Sequence, residues 1–223
     1  MTIGIVSLAT PTVAQDIEPI SPEFAARQDM TLARVLHGSR AVFYHGEEIE
    51  GCPGPTAKCQ RRAFVVAGDV VLIGEVRGSL VEAFYTDAGG RPTHGWLARS
   101  ALTPISPPQP TSLSWIGHWK YDEADIDISA GKRPGNIKAE GRALWGMHDP
   151  DRVKRGAVND GEFAGEATLT GDHIQFIDTD YEGCRVSMRL IGPYLVAADN
   201  LGCGGLNVSF SGIYRRTSAK PGQ

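Results

Sequence analysis

No stretch of the 223 residues approaches the roughly 20 consecutive apolar residues that carry a helix across a bilayer. An excess of one charge is also missing. Nine Lys and Arg stand against eleven Asp and Glu up to Ile105, and thirteen against fifteen beyond it, so neither half has the basic footprint that nucleic acid demands. The six histidines, His37, His45, His94, His118, His148 and His173, never fall at i, i+2 or i, i+4, which removes the local pairs that most simply hold a metal. Ser39, Ser79 and Ser211 each neighbour a glycine, but none has glycine both two before and two after it, as a nucleophile elbow requires. A sustained helical period is absent as well, apart from a turn of helix expected near Glu23-Phe24-Ala25-Ala26 or Leu32-Ala33-Arg34. With these signals missing, no catalytic residue, cofactor or metal site is expected.

What is present begins with four cysteines, Cys52, Cys59, Cys184 and Cys203, two in each half. Of the three pairings that four cysteines allow, only Cys52–Cys59 with Cys184–Cys203 keeps each bridge local. Zinc knuckles want two to four residues between cysteines, whereas six and eighteen residues separate these. Disulfides in an oxidising compartment are the better account. The apolar residues Ile3, Ile5, Val6, Leu8 and Ala9, followed by the small residues of Thr12-Val13-Ala14, fit a remnant of a secretory signal over residues 1–15, although no positive region precedes them. A periplasmic or secreted location is the expectation.

Four prolines (Pro104, Pro107, Pro108, Pro110) fall within TPISPPQPTSLS, a composition that favours a stiff extended linker. Residues 103–114 therefore separate an N-terminal domain (residues 25–102) from a C-terminal one (residues 115–217). The first reads as short strands divided by turns: Ala41 to His45, Arg62 to Val66, Asp69 to Gly74, Leu80 to Thr86 and Thr93 to Leu97. Ala-Val-Phe-Tyr at 41–44, Ala-Gly-Asp-Val-Val-Leu at 67–72, Val-Glu-Ala-Phe-Tyr at 81–85 and Gly-Trp-Leu at 95–97 together resemble bacterial SH3-like domains of exported proteins. That resemblance implies a small β-barrel which binds peptidoglycan or peptides, or serves as a spacer. Here the Cys52–Cys59 loop is inserted where ligand contacts often sit.

The C-terminal half alternates apolar and polar residues in about eight short runs, the last expected over Val208 to Tyr214. Eight antiparallel strands close most economically into an up-and-down barrel, because closure removes exposed edges; a β-sandwich is the alternative. Gly117-His118-Trp119 on the first strand and Arg215 after the last resemble the calycin arrangement, which implies that the Arg215 guanidinium packs over Trp119 at the closed end of the barrel. The expected fold is thus all-β, an SH3-like small barrel followed by a calycin-like barrel.

Two acidic runs, Asp122-Glu123-Ala124-Asp125-Ile126-Asp127 and Asp178-Thr179-Asp180-Tyr181-Glu182, hold oxygen ligands of the kind Ca2+ takes, but neither has an EF-hand glycine and solvated strand faces explain them. Arg152, Lys154 and Arg155, together with Arg185 and Arg189 at alternating positions, form a candidate partner surface or a salt-bridged β-surface. The function expected is that of a noncatalytic, exported envelope protein that binds a protein or peptidoglycan partner, in the class of inhibitors or immunity proteins against wall-degrading enzymes. The alternative is a carrier of a small apolar ligand inside the barrel, against which the bulk of Trp145, Phe176, Met188, Leu190 and Phe210 argues.

Overall fold

The computed structural model describes residues 30–38, 40–178 and 183–217. The expected signal remnant, the helical turn at residues 23–26 and most of the second acidic run lie outside them. The described residues form two antiparallel sheets, an open seven-stranded one and an eight-stranded one that nearly closes on itself.

The first sheet contains β1 (Thr31–Val35), β2 (Arg40–Tyr44), β3 (Gln60–Val66), β4 (Val70–Arg77), β5 (Leu80–Thr86), β6 (Pro92–Ala98) and β7 (Leu102–Ile105). Their order across the sheet is β3-β2-β6-β5-β4-β1-β7. Apolar residues that alternate along these strands, among them Ala33, Val35, Phe43, Val65, Val71, Ala83 and Leu97, turn inward to make one core. Two expectations change here. Leu32-Ala33-Arg34 is not a helical turn but the middle of β1, which pairs with β4 on one side and β7 on the other. The linker is also shorter than its prolines suggest, because Thr103, Pro104 and Ile105 belong to β7. Pro104 is tolerated there because β7 is an edge strand. The chain then forms a single helical turn, α1 (Ser112–Trp115), where the Thr111 amide donates to Ser114 Oγ (3.1 Å).

The second sheet contains β8 (Gly117–Tyr121), β9 (Ala124–Ala130), β10 (Asn136–Trp145), β11 (Asn159–Thr168), β12 (His173–Ile177), β13 (Arg185–Ile191), β14 (Tyr194–Asp199) and β15 (Gly212–Thr217). The order is β11-β10-β9-β8-β15-β14-β13-β12, so the last strand sits in the middle. At the seam between β11 and β12, the Ala164 amide donates to Asp178 Oδ2 at 2.7 Å, a side chain standing in for a ladder bond. The interior is filled by Trp119, Ile126, Phe163, Phe176, Met188, Leu190, Phe210 and Tyr214. Burial pushes the Tyr214 hydroxyl well above its ordinary value. Trp145 is only partly buried against this core.

Val208 and Phe210 face inward as expected, but the strand itself starts only at Gly212. Gly212 is required: a Cβ there would lie 2.3 Å from the ring of Tyr121, which covers it. The connection from β10 to β11 carries a short helix, α2 (Pro150–Arg155). The Asp149 side chain caps it by accepting from the amides of Asp151 and Arg152, and Gly156 ends it in a left-handed conformation. Both disulfides form as the spacing indicates, Cys52–Cys59 at the tip of the β2–β3 hairpin and Cys184–Cys203 in the barrel core.

The barrel-end packing is shifted by one residue. Trp119 points inward, and its register partner on β15 is Arg216. It is Arg216 whose guanidinium lies over the Trp119 ring, 4.8 Å from its centroid. Arg215 faces the other side of the strand and lies over Tyr194 at 4.9 Å. Strand alternation decides this: Tyr214 and Arg216 share the inner side, Ile213 and Arg215 the outer.

That outer side is itself covered. Ile191, Tyr194, Val196 and Ile213 of the barrel form one buried cluster with Met30, Leu32, Leu72 and Phe84 of the first sheet. All six residues of β14 are buried as a result, one face toward the barrel interior and the other toward the neighbouring sheet. Thr86 Oγ1 donates to the Ile213 carbonyl at 2.6 Å, the Asp122 amide to the Gly90 carbonyl at 2.9 Å, and the Tyr194 hydroxyl to the Val70 carbonyl. The two sheets are packed and hydrogen-bonded to each other across a buried apolar seam.

Candidate binding cleft between the two sheets

Beside that seam the sheets diverge into a cleft of about 350 Å3, bounded by Gly46, Glu48, Arg61, His94, Trp96 and Tyr121 among others. A smaller notch of about 140 Å3, which includes Phe84, Thr86 and Ile213, shares His94 and Tyr121 with it. Strand β6 supplies His94 and Trp96 on one wall, β3 supplies Arg61, the start of the β2–β3 connection supplies Glu48, and the end of β8 supplies Tyr121.

Several polar groups here are held by others. The His94 ring stacks on Phe84 (centroids 4.2 Å apart, 14° between planes), and its Nε2 lies 2.8 Å from Glu82 Oε1. Arg61 donates to the His94 carbonyl. His45 Nδ1 lies 3.0 Å from Glu48 Oε1. Burial pushes the Glu48 carboxyl up, but hydrogen bonds from its own amide, from His45 and from the Gly46 amide outweigh this and leave it below its ordinary value. Behind them the Arg77 guanidinium lies 5.1 Å over Trp96 and bonds Glu75 and Glu47. The cleft therefore offers ring faces for stacking and rigid hydrogen-bonding edges for a polar chain.

The other expected site residues fall elsewhere. Arg152 lies 4.0 Å over the Trp145 ring and donates to the Ala157 carbonyl at 3.2 Å, so it anchors α2 instead of facing outward. Lys154 and Arg155 on α2 are exposed. Arg185 and Arg189 belong to β13, and Arg189 is bound to Asp172 Oδ2 at 2.9 Å. The expected basic surface is thus spread over two elements, and Arg152 and Arg189 are among its members with structural partners of their own.

The first acidic run is likewise divided. Asp122 pairs with His148 (2.7 Å), Glu123 accepts from the amides of Gly146 and His148, and Asp125 and Asp127 both face His118. A groove of about 450 Å3 on the outside of β9, β10 and β11 is bounded by Asp125, Asp127, Glu140, Arg142 and Glu162. Among the described residues no group of three or more His, Cys, Asp or Glu is arranged to hold a metal ion. Thr179, Asp180, Tyr181 and Glu182 lie outside those residues.

Arg61, Glu48 and Tyr121 were not singled out from the sequence. Only the Gly95-Trp96-Leu97 motif pointed at this wall, since the cleft exists only once β6 and β8, from different halves, are brought side by side. Fold and cleft define an all-β protein of two sheets that share one seam. The chain matches no protein-family profile, no curated protein and no solved structure.

Proposed function

We propose that the chain is an exported, noncatalytic envelope protein that binds a protein or cell-wall partner in the cleft between its sheets. The observation that carries this reading is the shared apolar seam, which fixes both walls of the cleft before any ligand arrives. A preformed site spares the ordering cost that weakens binding by mobile surfaces. Two bridges suit an oxidising compartment, which supports a periplasmic or secreted location.

The strand order supports the SH3-like reading of the first sheet. A first strand is followed by a long hairpin (β2–β3), a three-stranded meander (β4, β5, β6), a 3-10 turn at Arg99–Ala101 and a last strand that returns to pair with the first. An arginine over the tryptophan of Gly117-His118-Trp119 supports the calycin-like reading of the barrel. Within this function, inhibition of or immunity to a wall-degrading enzyme fits a rigid, disulfide-stapled scaffold. The filled barrel interior gives the ligand-carrier alternative no support.

The test is retention of the purified protein on insoluble peptidoglycan and on immobilised envelope extract, with Arg61→Ala and Tyr121→Ala in parallel. Retention on one of the two, weakened roughly tenfold by either substitution as expected for a contact at the centre of an interface, is the expected outcome. No retention on either material, or retention indifferent to both substitutions, overturns the proposal.

A further inference from the structure

At the end of the barrel closed by α1, the turn between β13 and β14 and the last residues of β15 border an open pocket of about 400 Å3. It is lined by Ser114, Trp119, Gly192, Pro193, Arg215 and Arg216. Two consecutive arginines line one cavity, although their side chains leave the strand in opposite directions. Each is braced from behind by an aromatic ring, Arg215 by Tyr194 and Arg216 by Trp119. Arg216 is further fixed by donating to the Ser114 carbonyl. Its chain lies against Gly117, whose backbone (φ +147°) only glycine adopts readily and where a Cβ would come within 3.2 Å of Arg216 Cδ. Sequence and backbone are thus specialised to hold this guanidinium in place.

Among the described residues neither cation has a carboxylate partner. Arg77, Arg91, Arg142, Arg152 and Arg189 all have a carboxylate within 4.0 Å. Arg215 and Arg216 have none among the described residues. Desolvation draws the Arg216 guanidinium below its ordinary value. Two positive side chains, each set against an aromatic ring, line one open cavity that an anion would complete. A planar guanidinium with free N–H groups matches the oxygens of a phosphate in forked geometry.

We propose that this pocket is a binding site for a phosphate group carried on a larger molecule, with Arg215 and Arg216 as its two ligands. The two positive charges match a doubly charged phosphate, and the volume leaves room for the body to which it is attached. The pocket shares no lining residue with the cleft between the sheets, so it stands whether or not the cleft binds a wall partner.

Inorganic phosphate is the probe, titrated into the folded full chain while the arginine Nε–H resonances are followed by NMR. Saturable shifts of Arg215 and Arg216, weakened roughly tenfold by Arg215→Gln and by Arg216→Lys through loss of a forked contact, are expected. The double substitution to Gln should abolish them. Because Arg216 also covers Trp119, thermal melting accompanies every variant. Arg215→Gln leaves the Trp119 packing untouched and carries the test if Arg216 variants fail to fold. A second arm uses vesicles of phosphatidylglycerol in phosphatidylcholine. Vesicle binding that phosphate displaces assigns the group to a lipid headgroup, whereas phosphate binding without vesicle binding assigns it to a soluble phosphorylated ligand. Absence of both, or phosphate shifts that survive the double substitution, overturns the proposal.

Discussion

At the scale of single residues, function and stability here depend on close approaches that one side chain permits. Gly212 is the sharpest case, since the Tyr121 ring occupies the space of its Cβ. Gly212→Ala should therefore cost about 1–3 kcal/mol through overpacking, read as a lower urea midpoint with unchanged slope, and it should also displace Tyr121 from the cleft wall. His148 offers a pH readout. Its hydrogen bond to Asp122, with added attraction from Asp122 and Glu123, raises the imidazole above its ordinary value of 6.5. The pairing is complete below that value, where folded and unfolded imidazoles are both charged, and is lost as pH rises through the folded value. An NMR titration should find His148 above 6.5, and Asp122→Asn should lower it toward that figure. The arginine over Trp119 shows how far a single residue was legible. Alternation correctly sets Arg215 opposite Tyr214, but Trp119 lies on Tyr214's side, so the same alternation hands the contact to Arg216.

At the scale of elements, most strands were legible because alternation is a strong signal when one face is buried. Leu80–Thr86 appears with the bounds the sequence indicates. The failures have physical causes. β1 holds Leu-Ala-Arg, good helix formers whose conformation is decided by pairing with β4 and β7 and not by local preference. α2 spans six residues, too few to show a period, and only the Asp149-Pro150 start and Gly156 stop mark it. The two bridges differ in what they hold. Cys52–Cys59 closes a separation of 7 residues at a hairpin tip, and Cys184–Cys203 one of 19 between the β12–β13 and β14–β15 loops, with both cysteines fully buried. Replacing the second pair by alanine should cost about 3 kcal/mol or more by loop-closure entropy alone, and more than replacing the first. Denaturant midpoints of the two double variants check that ranking.

At the scale of the molecule, the proline-rich connection suggests two independent domains, yet the seam joins them. The clue was present in Tyr194-Leu195-Val196-Ala197-Ala198, which lacks alternation because both of its faces are covered; the partner that covers the outer face could not be read from it. The chain should consequently unfold in one transition, with calorimetric and van't Hoff enthalpies in agreement. Ile213→Ala, which opens the seam, should cost about 2–5 kcal/mol and lower that single transition for both sheets together. Two resolved transitions in the unmodified protein would refute the coupling. The place of β15 has a consequence for how the protein is made. The barrel's central strand is the last stretch of described chain to be synthesised, and Arg215 meets Lys120 across nearly a hundred intervening residues. Until that strand arrives, β8 to β11 and β12 to β14 are two meanders with no strand ladder between them, meeting at the β11–β12 seam. A chain stalled before Gly212 has no route to the native barrel, and assembly of the full chain belongs to the slow, millisecond-to-second class set by long-range pairing.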